Sequence, residues 1–256
     1  MSDFVASLRI PTYAELEAAY RIDPQQAFNL ARHVSIKDET GLTVDGRDLT
    51  FDELNALRFL FGSDTPEKRE QFMQFVLACA RRSKLDFNKQ GFVIIDGMAL
   101  DTGHQAACTP QGDIAFDYDF FNANSLNQLL FAFAHETRHA LDGPWSEQQR
   151  KDFDRLSYLE GAPRKRTRAL VEKSKRNGLY LNFRHKELDS DIHAITMFDT
   201  VDEGLQALSA LVDEMKDWET TIDGKPESPY RSLHPSPRVR LRHAYMHFKG
   251  HRPPKV

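Results

Sequence analysis

Between residues 112 and 141 the hydrophobic period changes from two to about 3.6, and this switch constrains the architecture more than any other stretch. In GDIAFDYDFF (112–121) the side chains of Ile114, Phe116, Tyr118 and Phe120 alternate with polar or small ones. That pattern predicts a half-buried or edge strand over the whole segment. In SLNQLLFAFAHETRHAL (125–141), Leu126, Leu129, Leu130, Phe133 and Leu141 recur at helical spacing. Asn124 or Ser125 supplies a cap, and Gly143-Pro144 a stop. A strand that leads straight into an amphipathic helix needs a sheet and a helical layer around one core. The predicted class is therefore α+β, mainly helical, with a small antiparallel or mixed sheet packed on the helix that ends near Leu141.

The segments on either side agree. Residues 13–33 read as one or two helices broken near Asp23-Pro24. The polar run 34–50, with two glycines, reads as a loop or hairpin. Thr50 and Glu53 suit a capping box for a short helix through Phe61, and Pro66 opens a longer one. GFVIIDG (91–97) is β-branched and bounded by glycines, as strands are. Further helices are expected over 185–198 and 201–219, with a last helical piece from Pro237. The change of character at Phe87 divides the chain into an N-terminal helical region, 1–86, and a core, 87–256, the two forming one compact unit. Within that core a basic insertion is expected at about 145–184.

Composition narrows the function classes. The net charge is −4 with 28% charged residues, so no global field draws the chain to nucleic acid or to a membrane surface. The basic stretch 164–176 reads as a solvated helical face, or as a contact for an acidic partner. Two cysteines outside any CxxC pair exclude a disulfide framework. The first residues lack a cationic start followed by an apolar core, and no apolar run approaches the roughly 20 residues of a membrane span. The expectation is a cytoplasmic protein, or one exported by a non-classical route, acting on a protein or peptide.

The chemistry concentrates at His135, Glu136 and His139. Residues four apart on a helix point the same way, so the two imidazoles can grip one ion, and zinc takes imidazole nitrogen readily. Glu136 lies about 100° around the helix from His135, where it can take a proton from a metal-activated water. This is the HExxH arrangement of metallopeptidases. The plainer alternative is two histidines and a glutamate satisfied locally on a helix. A catalytic zinc needs a third protein ligand. Asp142 and Trp145 stand where the metzincin pattern needs glycine and histidine. A glutamate on a later helix remains, and Glu187 of ELDSD (187–191) supplies it. Asp191, four residues on, can accept the free ring N–H of a zinc histidine. His243, His247 and His251 also stand four apart, but read as a cationic helix end.

Taken together, the strand GDIAFDYDFF, HETRH, ELDSD and LHPSPRVR (233–240) resemble the gluzincin peptidases of the HtpX and CAAX-prenyl-protease type. The resemblance spans about 92–244 and leaves the first ninety residues outside. It implies a minigluzincin-like core in which His135, His139 and Glu187 bind Zn2+ and Glu136 is the general base. His234 would donate to the oxyanion of a cleaved peptide, or is a loop histidine before a proline. Arg240 would tie the late segment to the acidic helix. The strand carrying Ile114, Phe116 and Tyr118 would pair with an extended substrate. Thr137-Arg138 differs from the small or apolar residues usual between the glutamate and the second histidine. The expected activity is zinc-dependent endopeptidase. The alternatives are a catalytically silent peptidase-fold scaffold, an exported effector protease acting on host proteins, and a purely structural zinc site.

Overall fold

The computed structural model describes residues 8–33, 43–44, 47–48, 64–98, 105–142, 151, 179–215 and 235–250. The chain divides into two compact units, Met1–Leu141 and Asp142–Val256.

In the first unit, helix α1 (Tyr13–Ile22) starts at a capping box. The Thr12 amide donates to the Glu15 carboxylate at 2.9 Å, and the Glu15 amide donates to Thr12 Oγ1 at 3.3 Å. Asp23 ends α1 and opens α2 (Pro24–Ala31), its carboxylate accepting from the Gln25 amide at 3.0 Å. Pro24 occupies the first helical position, where its missing N–H costs nothing. A short strand β1 (Arg32–His33) follows, then an antiparallel pair, β2 (Thr43–Val44) and β3 (Arg47–Asp48). Helix α3 (Pro66–Arg82) is capped by Thr65, whose hydroxyl accepts from the Lys68 amide at 3.2 Å. Next come β4 (Phe92–Ile95), β5 (Ala106–Cys108), β6 (Ile114–Asp117), α4 (Tyr118–Ala123) and α5 (Leu126–Leu141).

The main sheet runs β1-β4-β6-β5, with β4 parallel to both β1 and β6, and β5 antiparallel to β6. It is mixed, as the sequence predicts, and it lies beside α5. One face meets a layer of rings. Phe72 of α3, Phe92, Phe116, Phe121 of α4 and Phe133 of α5 are all fully buried. Their contacting centroids lie 5.3–6.3 Å apart, mostly edge to face. Each such burial contributes roughly 1.5–3 kcal/mol. The other face is covered where Leu8 and Ile10 pack on Val93, Ile95, Met98 and Ala115.

This two-sided cover corrects the reading of residues 112–121. The strand is Ile114–Asp117 only, every residue is buried, and β4 and β6 pair along its one side as β5 and β6 do along the other. It is an interior strand, not an edge. Phe116 belongs to the ring layer, and Ala115 on the opposite side is small enough to pack under Met98. The alternation that looks half-buried is a difference in size between two buried faces. The strand stops because Asp117 becomes the cap of α4, its carboxylate accepting from the Phe120 amide at 3.1 Å. Tyr118 and Phe120 are therefore helical.

Helices α1 to α3 belong to the same unit as the sheet, because β1 pairs with β4 and the Tyr13 amide donates to the Gln90 carbonyl at 3.1 Å. Gly91 is required there: a Cβ would collide with the Pro11 carbonyl, which accepts from the Phe92 amide.

In the second unit, helices α6 (Leu179–Thr196), α7 (Val201–Met215) and α8 (Pro237–Lys249) pack on one another. A reciprocal pair opens α7, the Thr200 amide donating to Glu203 Oε2 at 3.0 Å and the Glu203 amide to Thr200 Oγ1 at 3.2 Å. A Cβ on Gly204 would lie 2.8 Å from the Ile195 Cα, so the missing side chain lets α7 approach α6 closely. The helix expected at 50–61, the basic stretch 164–176, His234 and His251 lie outside the described residues. Among the described residues no helix is long and apolar enough to cross a membrane.

Candidate metal centre

Helix α5 sorts its residues by face. Leu129, Phe133, Thr137 and Ala140 recur at helical spacing and are buried. Thr137 is the polar member of that face. Its hydroxyl donates to the Ala134 carbonyl at 2.7 Å and touches Cys79 Sγ of α3 at 3.8 Å. Burial pushes the Cys79 thiol up to about 11, so it stays neutral behind the helix. The difference between Thr137 and the usual small residue is thus absorbed by a local hydrogen bond. The start of α5 is held by Gln128, whose Oε1 accepts from the Ser125 amide at 2.8 Å and from the Ser125 hydroxyl at 2.6 Å.

His135 and His139 project away from Thr137. His135 is buried and His139 half-buried. Their Nε2 atoms are 3.2 Å apart, with ring centroids at 5.0 Å and planes at 68°. One ligand atom from each of His135, His139 and Glu187 of α6 lies within 4.8 Å of the other two. This group could hold a metal ion, and among the described residues no other set of three or more His, Cys, Asp or Glu side chains gathers in this way. Glu136 is half-buried beside it in sequence.

The remaining predicted residues fall into place separately. Asp191 and Arg240 are buried and form a two-pronged ion pair, Arg240 Nε donating to Oδ2 at 2.8 Å and an Arg240 terminal nitrogen to Oδ1 at 2.6 Å. The pair ties α8 to α6, four residues beyond Glu187. Lys186, next to Glu187, reaches Asp142 at 2.6 Å. His243 and His247 lie on α8, with His247 exposed.

Ile114 and Phe116 are buried in β6. Tyr118 serves a different cluster: its hydroxyl donates to Asp64 at 2.5 Å, and the Arg32 guanidinium stacks 3.7 Å from its ring. Burial, with Asp64 as acceptor, pushes the Tyr118 phenol up to about 12. Arg69 grips the same Asp64 with two bonds of 2.6 and 2.7 Å, and Arg32 pairs with Asp96 at 3.2 Å.

Sequence reasoning passed over β5 and Gln90. Strand β5 is three residues long and carries no alternation; its one signal is the TPQGD turn that follows. Gln90 belongs to no motif. Its role comes from three backbone groups far apart in sequence. No protein-family model, curated protein or solved structure matches this chain.

Proposed function

We propose that this chain is a zinc-dependent endopeptidase, a gluzincin of the HtpX and CAAX-prenyl-protease type, in which His135, His139 and Glu187 hold the metal and Glu136 is the general base. The observation that carries the reading is the gathering of two imidazoles and one carboxylate within 4.8 Å. The donor set fits a catalytic zinc, which takes three protein ligands and leaves a fourth position for water. The 3.2 Å between the two Nε2 atoms is close to the edge, about 3.3 Å, of a tetrahedron whose zinc–nitrogen bonds are about 2.0–2.1 Å.

Zinc held there supplies Lewis acidity, polarising the scissile carbonyl and lowering the pKa of water toward neutrality. The Glu136 carboxylate accepts the proton of the attacking water and passes it to the departing amine nitrogen. Arg240 neutralises Asp191 and so fixes the helix that carries Glu187. By the resemblance of LHPSPR (233–238), His234 donates to the developing oxyanion. An extended substrate pairs not with β6 but with β5, the end strand of the sheet as described, which lies against α5.

The test is metal analysis of purified protein together with hydrolysis of an unfolded protein such as reduced casein, beside Glu136→Gln. About one zinc per chain in both forms, with cleavage lowered by about 10²–10⁴-fold in the variant, supports the reading. Equal cleavage by both forms, or protein that takes up no zinc, overturns it.

A further inference from the structure

His139 sits in the last turn of α5, where helical carbonyls have no intrahelical partner and the chain frays most easily. One of those carbonyls, Ala140 C=O, accepts from Gln90 Nε2 at 3.2 Å. The same Nε2 donates its second hydrogen to the Gly112 carbonyl in the β5–β6 turn, also at 3.2 Å. Gln90 Oε1 accepts from the Asp86 amide at 2.8 Å. Two carbonyls on one side and an N–H on the other leave the amide a single orientation, with both donors and its acceptor in use. Its own backbone is fixed as well, the Gln90 amide donating to Asp86 C=O at 2.8 Å and its carbonyl accepting from Tyr13 at 3.1 Å. Gly112 makes room for this side chain: at its φ of +92° a Cβ would lie 2.7 Å from Gln90 Nε2.

We infer that Gln90 is a positioning residue for the metal centre, holding the turn that carries His139 at a fixed height against the β5–β6 hairpin. The inference rests on the metal reading above. It identifies one side chain that sets the second imidazole and the end strand of the sheet in the same frame. A group that orients a ligand costs about 10–100-fold in metal affinity when it is lost.

The experiment compares Gln90→Met, which keeps the stem and removes both donors, with Gln90→Lys, which keeps a donor for the two carbonyls. Zinc affinity is measured by competition with a chromophoric chelator. Hydrogen exchange of the 135–141 segment is measured in the metal-free proteins. Gln90→Met is expected to bind zinc about 10-fold or more weakly and to exchange faster in this segment, while Gln90→Lys stays within about threefold of wild type in affinity. Unchanged affinity and exchange in Gln90→Met overturns the inference and leaves the metal reading standing. A uniform rise in exchange over the whole first unit, with affinity lost equally in both variants, also overturns it, because that is what general destabilisation produces. If wild type itself takes no zinc, the metal reading fails and this inference with it; faster exchange of the 135–141 segment in Gln90→Met alone then assigns Gln90 to the helix end and not to a ligand.

Discussion

Two polar clusters in this protein are built on opposite rules. In the chain Asp96–Arg32–Tyr118–Asp64–Arg69, each acid has a guanidinium or phenol against it, and the Arg32 guanidinium stacks on the Tyr118 ring between them. At His135, His139 and Glu187, three groups that can all offer electron pairs gather within 4.8 Å. The first arrangement is closed by its own charges and has a structural task. The second is a group that could hold a metal ion. The same residue types, acids beside nitrogen bases, therefore carry different meanings, set by whether an arginine or an imidazole is the neighbour.

The sharpest way to break this contrast is to remove one member of each cluster. Glu187→Ala is expected to lower zinc affinity by more than the 10–100-fold typical of an orienting residue, with the metal-free melting point little changed. Asp64→Ala should do the reverse, lowering stability and leaving zinc affinity intact. Chelator competition and urea unfolding on both variants decide it; matching profiles would dissolve the distinction.

A stability effect of about 3–5 kcal/mol is expected for Arg240→Met, measured by urea unfolding, because it strands the fully buried Asp191 carboxylate. If the loss is under about 1 kcal/mol, the pair is not what holds α8 to α6.

A smaller effect belongs to the ammonium beside the ring layer, Lys68. Lys68 donates to the Phe121 and Asn124 carbonyls at 2.8 and 2.7 Å, and burial pushes its ammonium down to about 8. Between about pH 8 and the ordinary lysine range near 10.4, the unfolded chain holds a proton that the folded chain has released. Lys68 therefore adds stability as pH rises across that window, on the order of 1 kcal/mol by pH 9.5. The raised Cys79 thiol acts with the opposite sign above its ordinary value of about 8.5, so the Lys68 effect is the difference between wild type and Lys68→Met. Above pH 10 Tyr118 opposes it, since its raised phenol keeps the proton longer in the folded state. Urea midpoints at pH 7.5 and 9.5 for both proteins check the sign; a change with pH that is no more favourable in wild type than in Lys68→Met contradicts it.

Much of this was legible in the chain, and the misses have physical causes. Two helix starts were legible through local chemistry, at Asp23 with Pro24 and at Pro66, whereas the Thr12–Glu15 box that opens α1 was not read although its bonds span only three residues. The HETRH spacing places two rings on one face without any tertiary information. The strand at 112–121 was misread because period-two alternation reports contrast between faces, and a sheet buried on both sides can show it through size alone. Asp117 was read as part of the strand, and its place as a cap goes with the packing of Phe120 and Phe121 into the ring layer. Gln90 could not be read at all, because its three partners lie 4, 22 and 50 residues away.

The most direct test of the central claim is X-ray absorption at the zinc edge on protein loaded with one equivalent of zinc. The account predicts a shell of nitrogen and oxygen at about 2.0–2.1 Å, an imidazole scattering pattern from two histidines, and loss of the bound ion in Glu187→Ala. A sulfur shell at about 2.3 Å, or an identical spectrum with the ion fully retained in Glu187→Ala, would contradict it.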